Sequence, residues 1–178
     1  RVKTLLKGEM MKDLLTQVCI FFMERANYYV DQSEVGDAVK EDIKYAWDFT
    51  VSKNTAKIVN GAEKAVYVEF GVGIVGQGQP HPHAAEAGYV YNIPTPAKKG
   101  AGYWSFLLGD LDYLDLPQSA ASIQASKWGT MDMYTVWSNG TKGAMYAYNA
   151  LVDIQTDLQN KRGRIATEWQ SILRRYLK

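Results

Sequence analysis

This sequence of 178 residues has few cysteines and histidines and a net charge close to zero. It contains one cysteine, Cys19, and two histidines, and its 20 basic residues offset 19 acidic ones to a formal charge of +1. A single cysteine cannot form an internal disulfide, so Cys19 is predicted to be a buried, reduced thiol in a reducing compartment. A charge near zero gives no global attraction to nucleic acid or to an anionic membrane.

Long apolar runs are also absent. The longest, Val18–Met23, is far shorter than the roughly 20 residues that a membrane-spanning helix needs. We therefore expect a soluble protein with no membrane partner. The length and the 47% hydrophobic content suffice for one buried core, and we predict a single domain over residues 1–178.

The two histidines offer little catalytic chemistry. His81 and His83 are separated by Pro82, and Glu86 is the nearest carboxylate. Zinc sites usually use three or four ligands, and no nucleophile is placed to pair with either imidazole. We predict no metal, no cofactor and no enzymatic activity, with both histidines in a solvated, proline-rich loop.

Helical periodicity marks both ends of the chain. Apolar residues from Met11 to Tyr29 recur at helical spacing and predict a long helix over residues 1–30 that begins near Val2, although Gly8 lies inside it. Residues 141–178 predict a C-terminal helical segment, with Thr141 as N-cap and a break at Gly163. Its first helical period runs through Met145, Tyr148, Leu151, Val152, Gln155 and Leu158, and its second places Ile165, Trp169, Ile172, Leu173 and Tyr176 on one stripe.

Strand patterns occupy the middle of the chain. Trp47, Phe49 and Val51 alternate with polar residues and are followed by a Ser-Lys-Asn-Thr turn at residues 52–55, which predicts a hairpin. Further short strands are predicted at residues 89–92, 103–108 and 131–137. Residues 71–102 contain seven glycines and four prolines, so they predict a long extended loop in which helix is improbable.

The start of this loop has the G-x-G-x-x-G spacing of a dinucleotide-binding turn, at Gly71, Gly73 and Gly76. Such a turn needs a helix directly after the glycines, because the first turn of that helix holds the pyrophosphate. Pro80 and Pro82 follow instead, and no acidic residue stands about 20 positions on. A nucleotide-dependent oxidoreductase therefore stays only as an alternative.

Charge is unevenly distributed along the chain. The last 18 residues carry six basic residues against Glu168 alone, whereas residues 31–48 carry six acidic residues against two lysines. The basic excess suits a helix C-terminus, and it also admits contact with DNA or a head-to-tail contact between subunits. Arg174 and Arg175 are the candidate residues.

Three blocks resemble the tail-component family of long-tailed (siphovirus-type) phages, which includes tail-completion, tail-terminator and head-tail joining proteins. The main block is Val68-Glu69-Phe70-Gly71 with Gly73-Ile74-Val75-Gly76 and a following His-Pro pair. The others are Gly102-Tyr103-Trp104 and the stretch from Thr141 to Ala150. The likeness spans about residues 56–152. Val72 stands where the family usually has threonine, and the chain extends beyond the family's usual end after Gly163.

The resemblance implies an α+β fold with a long N-terminal helix, a mostly antiparallel sheet, a long Gly/Pro-rich loop and C-terminal helices packed on one face. It also implies a structural virion protein of the phage neck, forming a ring, often hexameric, between the head connector or stopper protein and the tail tube protein. DNA would pass through the lumen without sequence-specific binding. Assembly would take place in the host cytoplasm.

Candidate subunit-interface residues follow from the main block of the resemblance, from its His-Pro pair and from the charge pattern. They are Glu69, Gly71, Gly73, Gly76, His81, His83, Arg174 and Arg175. Two roles stay open for Glu69 as a functional residue, an inter-subunit contact or a clamp on the loop, and a solvent-facing position at a strand or short-helix end is an equal alternative. Phe70 is expected in the core. A DNA-contacting accessory protein that acts through Arg174 and Arg175 is the remaining functional alternative.

Overall fold

The computed structural model describes residues 2–91, 103–107, 122–128, 131–137, 140–160 and 162–176. The helices are α1 (Val2–Asp31), α2 (Asp37–Tyr45), α3 (Ala65–Phe70), α4 (Gly73–Gly78), α5 (Tyr146–Gln159) and α6 (Arg164–Tyr176). The strands are β1 (Trp47–Ser52), β2 (Thr55–Asn60), β3 (Gly71–Val72), β4 (Tyr103–Leu107), β5 (Ser122–Trp128), β6 (Met131–Trp137) and β7 (Thr141–Lys142). Every strand pair in these ranges is antiparallel, and the predicted α+β class is confirmed.

The chain forms two compact units, each built from separate stretches of sequence. The first, here the helical unit, contains residues 1–32, 43–62 and 146–178, and the second contains residues 33–42 and 63–145. Compact units defined by internal contacts are not by themselves separate domains, so the single domain stays a prediction.

The helical unit is built on α1, which contacts α5, α6 and the β1–β2 hairpin. The helix is continuous across Gly8, as its periodicity predicts, and Cys19 is completely buried in its core. Burial raises the pKa of the Cys19 thiol, which keeps it protonated and unreactive. The other buried apolar residues of this unit are Leu14, Ala26, Val30, Ile43, Ala62, Tyr146, Ala150, Ile154, Ile165 and Ile172.

Two aspartates of α5 tie the helices of this unit together. Asp153 accepts hydrogen bonds from Arg25 Nε at 2.6 Å and from Tyr29 Oη at 3.1 Å. Asp157 accepts hydrogen bonds from the backbone N–H groups of Arg164, at 2.8 Å, and of Ile165, at 2.7 Å. Its carboxylate therefore caps the N-terminus of α6, where orphan donors and the helix dipole both favour a negative charge.

The hairpin confirms the predicted strands and turn. Ser52 pairs with Thr55 and Trp47 with Asn60, which leaves Lys53 and Asn54 as a two-residue turn. Lys53 has a φ of +50°, as the turn types that suit a twisted hairpin require. The indole of Trp47 contacts the rings of Phe22 and Tyr146 edge-on, at centroid distances of 5.7 and 6.0 Å.

The second unit carries β3 to β7, α3, α4 and the first part of α2. β4, β6 and β5 form a three-stranded sheet in that order. The prediction for residues 131–137 is confirmed, the one for residues 103–108 holds over Tyr103–Leu107, and β5 was not predicted. α2 was not predicted either, because this helix has only nine residues and few of them are apolar.

Three predictions of local structure are wrong. Thr141 is not an N-cap, because Thr141–Lys142 form β7 and α5 begins only at Tyr146. Residues 89–91 are not a strand, since their aromatic side chains pack on rings rather than alternating across a sheet. A helix, α4, forms inside the stretch where helix seemed improbable, because it ends at Gly78, before the first proline.

The side of α5 that the helical period predicted to be buried is also wrong. The structure buries Tyr146, Ala150 and Ile154, whereas Leu151 and Leu158 are 44% and 43% exposed. Apolar residues occupy two sides of this helix, and periodicity alone does not decide which side faces the core. The stripe predicted for α6 is confirmed at Ile165 and Ile172, which are both buried.

Candidate functional site

Two distant segments of the second unit meet at the glycine motif. β3 pairs with β7, so that Gly71 lies opposite Lys142 and Val72 opposite Thr141. The ladder continues beyond β7, where Ala144 donates its N–H to Val68 O at 2.7 Å. We call residues 68–76, 79–91 and 140–145 together the glycine hub. It joins two of the three blocks on which the family resemblance depends.

Close backbone approach explains why glycine occupies this point. Gly71 has a φ of +80°, and a Cβ there would lie 2.5 Å from Gly143 N and 2.6 Å from Thr141 O. A Cβ on Gly143 would in turn lie 2.5 Å from Glu69 O. Because these neighbours are backbone atoms, neither position accepts a side chain without moving the β3–β7 pair.

A buried acid–imidazole pair forms the centre of the hub. Glu69 lies near the end of α3 and His81 lies in the loop after α4, and they are only 7% and 5% exposed. The distance from Glu69 Oε1 to His81 Nε2 is 3.0 Å. The backbone N–H of His83 donates to His81 Nδ1 at 3.0 Å. Since Nδ1 accepts a hydrogen bond, the proton of the neutral imidazole lies on Nε2, which therefore donates to the Glu69 carboxylate.

This geometry matches the loop-clamping role that was one of the alternatives for Glu69. Glu69 and His81 stand 12 residues apart, and their contact fixes the start of the 79–91 loop against α3. Both ring nitrogens of His81 are engaged inside the protein, so this imidazole is not presented as a base or a metal ligand. The solvated position predicted for His81 is thus wrong, because its side chain is buried against its carboxylate partner in α3.

Aromatic rings hold the rest of the loop. The Phe70 ring lies between the rings of His81 and Tyr89, at centroid distances of 4.5 and 4.6 Å. Tyr89 Oη donates to Gly71 O at 2.6 Å, and His81 N–H donates to Tyr91 Oη at 2.7 Å. Burial, with smaller contributions from Tyr67 and Tyr91, raises the pKa of the Tyr89 hydroxyl. Loop and motif therefore form one packed structure.

His83 behaves differently from His81. Its side chain is 50% exposed, and its Nδ1 lies 2.7 Å from Glu86 Oε2, whose side chain is 78% exposed. Among the residues for which side chains are described, no group of three or more histidine, cysteine, aspartate or glutamate residues could hold a metal ion. His83 is the histidine of the hub that faces solvent.

The dinucleotide-like spacing has a structural explanation of its own. α4 is only six residues long and lies within the glycine stretch, and a Cβ on Gly76 would lie 2.9 Å from Gly71 C and 3.1 Å from Thr141 O. Gly71, Gly73 and Gly76 are all buried. The β7 backbone thus occupies the position beside the glycines, where a dinucleotide turn needs open space for a pyrophosphate.

The two candidate arginines lie in the helical unit, in the last turn of α6. Both are exposed, and Arg175 Nη1 is 3.9 Å from Asp13 Oδ2, a weak surface contact. Arg164 instead forms a closer ion pair with Glu24, with Nη1–Oε2 at 2.5 Å. Arg164 is therefore engaged with Glu24 of α1, whereas Arg174 and Arg175 lie at the exposed end of α6.

Some hub residues were missed at the level of sequence. Tyr89 and Tyr91 were assigned to a strand, and Gly140 was not singled out. No local signal separates these roles from a strand, because the alternation of Tyr89 and Tyr91 about Val90 is itself the strand pattern.

Comparisons with family models, curated proteins and solved structures give no match to this chain. In the described part of the chain, no helix is long and apolar enough to cross a membrane.

Proposed function

We propose that this protein is a structural, non-enzymatic subunit of the phage neck, which forms a ring that completes or terminates the tail and joins it to the head connector. Its partners are then further copies of itself, a connector or stopper protein, and the tail tube protein. DNA passes through the lumen without sequence readout. The site of action is the virion, after assembly in the host cytoplasm.

One observation carries this proposal. The main block of the resemblance, residues 68–76, and the block that opens at Thr141 are paired with each other at Gly71 and Lys142. Motif residues that are far apart in sequence and adjacent in space act together, which favours a shared structural purpose over chance similarity. The hub also uses its polar groups internally, through the Glu69–His81 contact, as expected of a rigid platform rather than a catalytic pocket.

Burial assigns different roles to the candidate interface residues. Glu69, His81 and the three motif glycines are buried, so in this proposal they hold the shape of the platform. His83, Arg174 and Arg175 are exposed, so they are the members of the set that can contact a neighbouring subunit directly.

Native mass spectrometry and negative-stain microscopy of the purified chain test the proposal. We expect closed rings with a central hole, with a mass that is a fixed multiple of the 20.0 kDa of this chain. A chain that stays monomeric at every concentration contradicts it. Saturable binding of NAD or FAD in a calorimetric titration would instead favour the oxidoreductase. Salt-dependent DNA binding that is lost when Arg174 and Arg175 are changed to glutamate would favour the DNA-contacting accessory protein.

A further inference from the structure

The outer face of α5 differs from the other exposed helix surfaces of the helical unit. Its six exposed positions are Leu151, Val152, Gln155, Thr156, Leu158 and Gln159, and none is charged. On α6, four of the seven exposed positions are charged: Arg164, Glu168, Arg174 and Arg175. Depletion of charge with retained apolar area is the composition of interface centres rather than of free surface.

The charges that α5 does carry are used inside the unit. Asp153 is bonded to Arg25 and Tyr29, and Asp157 caps α6. The remaining outer face exposes Leu151 at 44%, Val152 at 39% and Leu158 at 43%. Such a face offers no electrostatic attraction to nucleic acid or to a charged peptide.

We propose that this face binds the same face of a second copy, with the two α5 helices antiparallel. A two-fold contact requires a surface that is complementary to itself, and an uncharged face meets that condition without like-charge repulsion. The spacing fits as well. With the two-fold axis near Gln155, Leu158 of one copy lies over Leu151 and Val152 of the other. The two Gln155 amides face each other, and each can both donate and accept a hydrogen bond.

The contact is small, so it is expected to be weak. α5 has 14 residues and is about 21 Å long at 1.5 Å per residue. One helix face of that length buries less than the roughly 1,200 Å² of total area that marks the lower limit of stable interfaces. We therefore expect a reversible dimer that is seen only at high protein concentration.

Analytical ultracentrifugation of the full chain over a range of concentrations tests the dimer. Leu158→Glu is expected to weaken self-association at least tenfold, because an unpaired carboxylate would then be buried against the apolar side chains of the other copy. Ser171→Glu on the exposed side of α6 is the matched control and is expected to leave association unchanged. Both positions are exposed, and circular dichroism checks that each variant folds. A wild type that never dimerises, or equal effects of the two substitutions, would overturn the proposal.

Disulfide trapping tests the two-fold geometry. Gln155→Cys is expected to form a covalent dimer under mild oxidation, because its counterpart lies directly opposite. Gln159→Cys is expected not to, since the two copies of that residue are offset by about 12 Å along the helices, beyond the roughly 7 Å limit for Cα atoms joined by a disulfide. Preferential linkage at residue 159 would contradict the arrangement.

This inference does not depend on the proposed ring. A ring closed by head-to-tail contacts keeps the two Gln155 residues apart, so rings without the residue 155 linkage refute only the α5 contact. A residue 155 linkage in a chain that forms no ring refutes only the neck function.

Discussion

The glycine hub and the helical unit are held together by different forces. Among the side chains that the structure describes, the helical unit buries eleven apolar ones, whereas the second unit contributes only Ala65, Val68 and Ala84 to the buried apolar set. The hub depends instead on backbone pairing, on ring stacking and on the Glu69–His81 contact. Apolar packing tolerates small changes of shape, while backbone contacts and buried polar pairs require a fixed geometry. The hub should therefore be the more sensitive of the two to minimal substitutions.

The largest effect is expected from adding one methyl group at Gly71. Gly71→Ala combines a φ of +80° with backbone atoms 2.5 and 2.6 Å from the new Cβ, so we expect a loss of about 4 kcal/mol in the free energy of unfolding. Denaturant unfolding measures that loss.

Gly8→Ala is the matched control in the helical unit. Nothing lies within 4 Å of its Cβ position, and alanine is favoured in a helix, so this variant should gain about 0.5–1 kcal/mol. Similar effects at the two glycines would show that the hub has no special dependence on backbone contact.

A smaller effect is expected from breaking one acid–base pair in each unit. Glu69→Ala leaves the buried His81 Nε2–H without its carboxylate, which should cost about 2 kcal/mol. Asp153→Ala breaks the pair with Arg25, in which both side chains are about a third exposed, and should cost about 1 kcal/mol.

Hydrogen exchange locates the two effects. Glu69→Ala should accelerate amide exchange in residues 79–91, because these are the residues that the pair clamps. Asp153→Ala should act on α1 and α5 only. If Glu69→Ala left exchange in the 79–91 loop unchanged, Glu69 would not be a clamp.

A small effect that depends on pH is expected at Tyr89. Tyr89→Phe removes the hydrogen bond to Gly71 O and should cost about 1 kcal/mol at pH 8. The pKa of Tyr89 is raised in the folded protein, so the folded state holds the proton more tightly than the unfolded chain. This stabilisation is fully present below the ordinary tyrosine pKa of about 10 and is lost as pH rises through the folded pKa.

Denaturant unfolding of the wild type and of Tyr89→Phe at pH 8, 10 and 11 checks whether this stabilisation falls as pH rises. The difference between the two proteins should narrow above pH 10. Tyr45→Phe, at a position that is 82% exposed, serves as a control and should change stability at pH 8 by less than about 0.5 kcal/mol. A difference that widened with pH would show that the Tyr89 hydroxyl is not held as a donor.

Much of the helical unit could be predicted from the sequence, because its signals are local. The apolar period of α1, the alternation of Trp47 with its neighbours and the stripe of α6 each report the face that an element buries. The prediction was wrong where a helix has two apolar sides, as α5 does. There the choice between Ile154 and Leu158 depends on which neighbouring helix is available to cover it.

The candidate site was predicted less well. Sequence reasoning selected Glu69, His81 and the motif glycines, but it did not join them. β3 and α4 separate Glu69 from His81, and β7 comes from much later in the chain. Glycine spacing indicates a need for close backbone approach. It does not tell whether a phosphate or another strand makes that approach.

The sequence by itself determined the composition class, the absence of an internal disulfide, the long first helix and the hairpin, because composition, periodicity and turn chemistry act over a few residues. Only the tertiary structure decided that Gly71 packs on Gly143, that Glu69 clamps His81 and that Leu158 faces outward. Those outcomes depend on which distant segment occupies the space beside each residue, and local pattern carries no information about that.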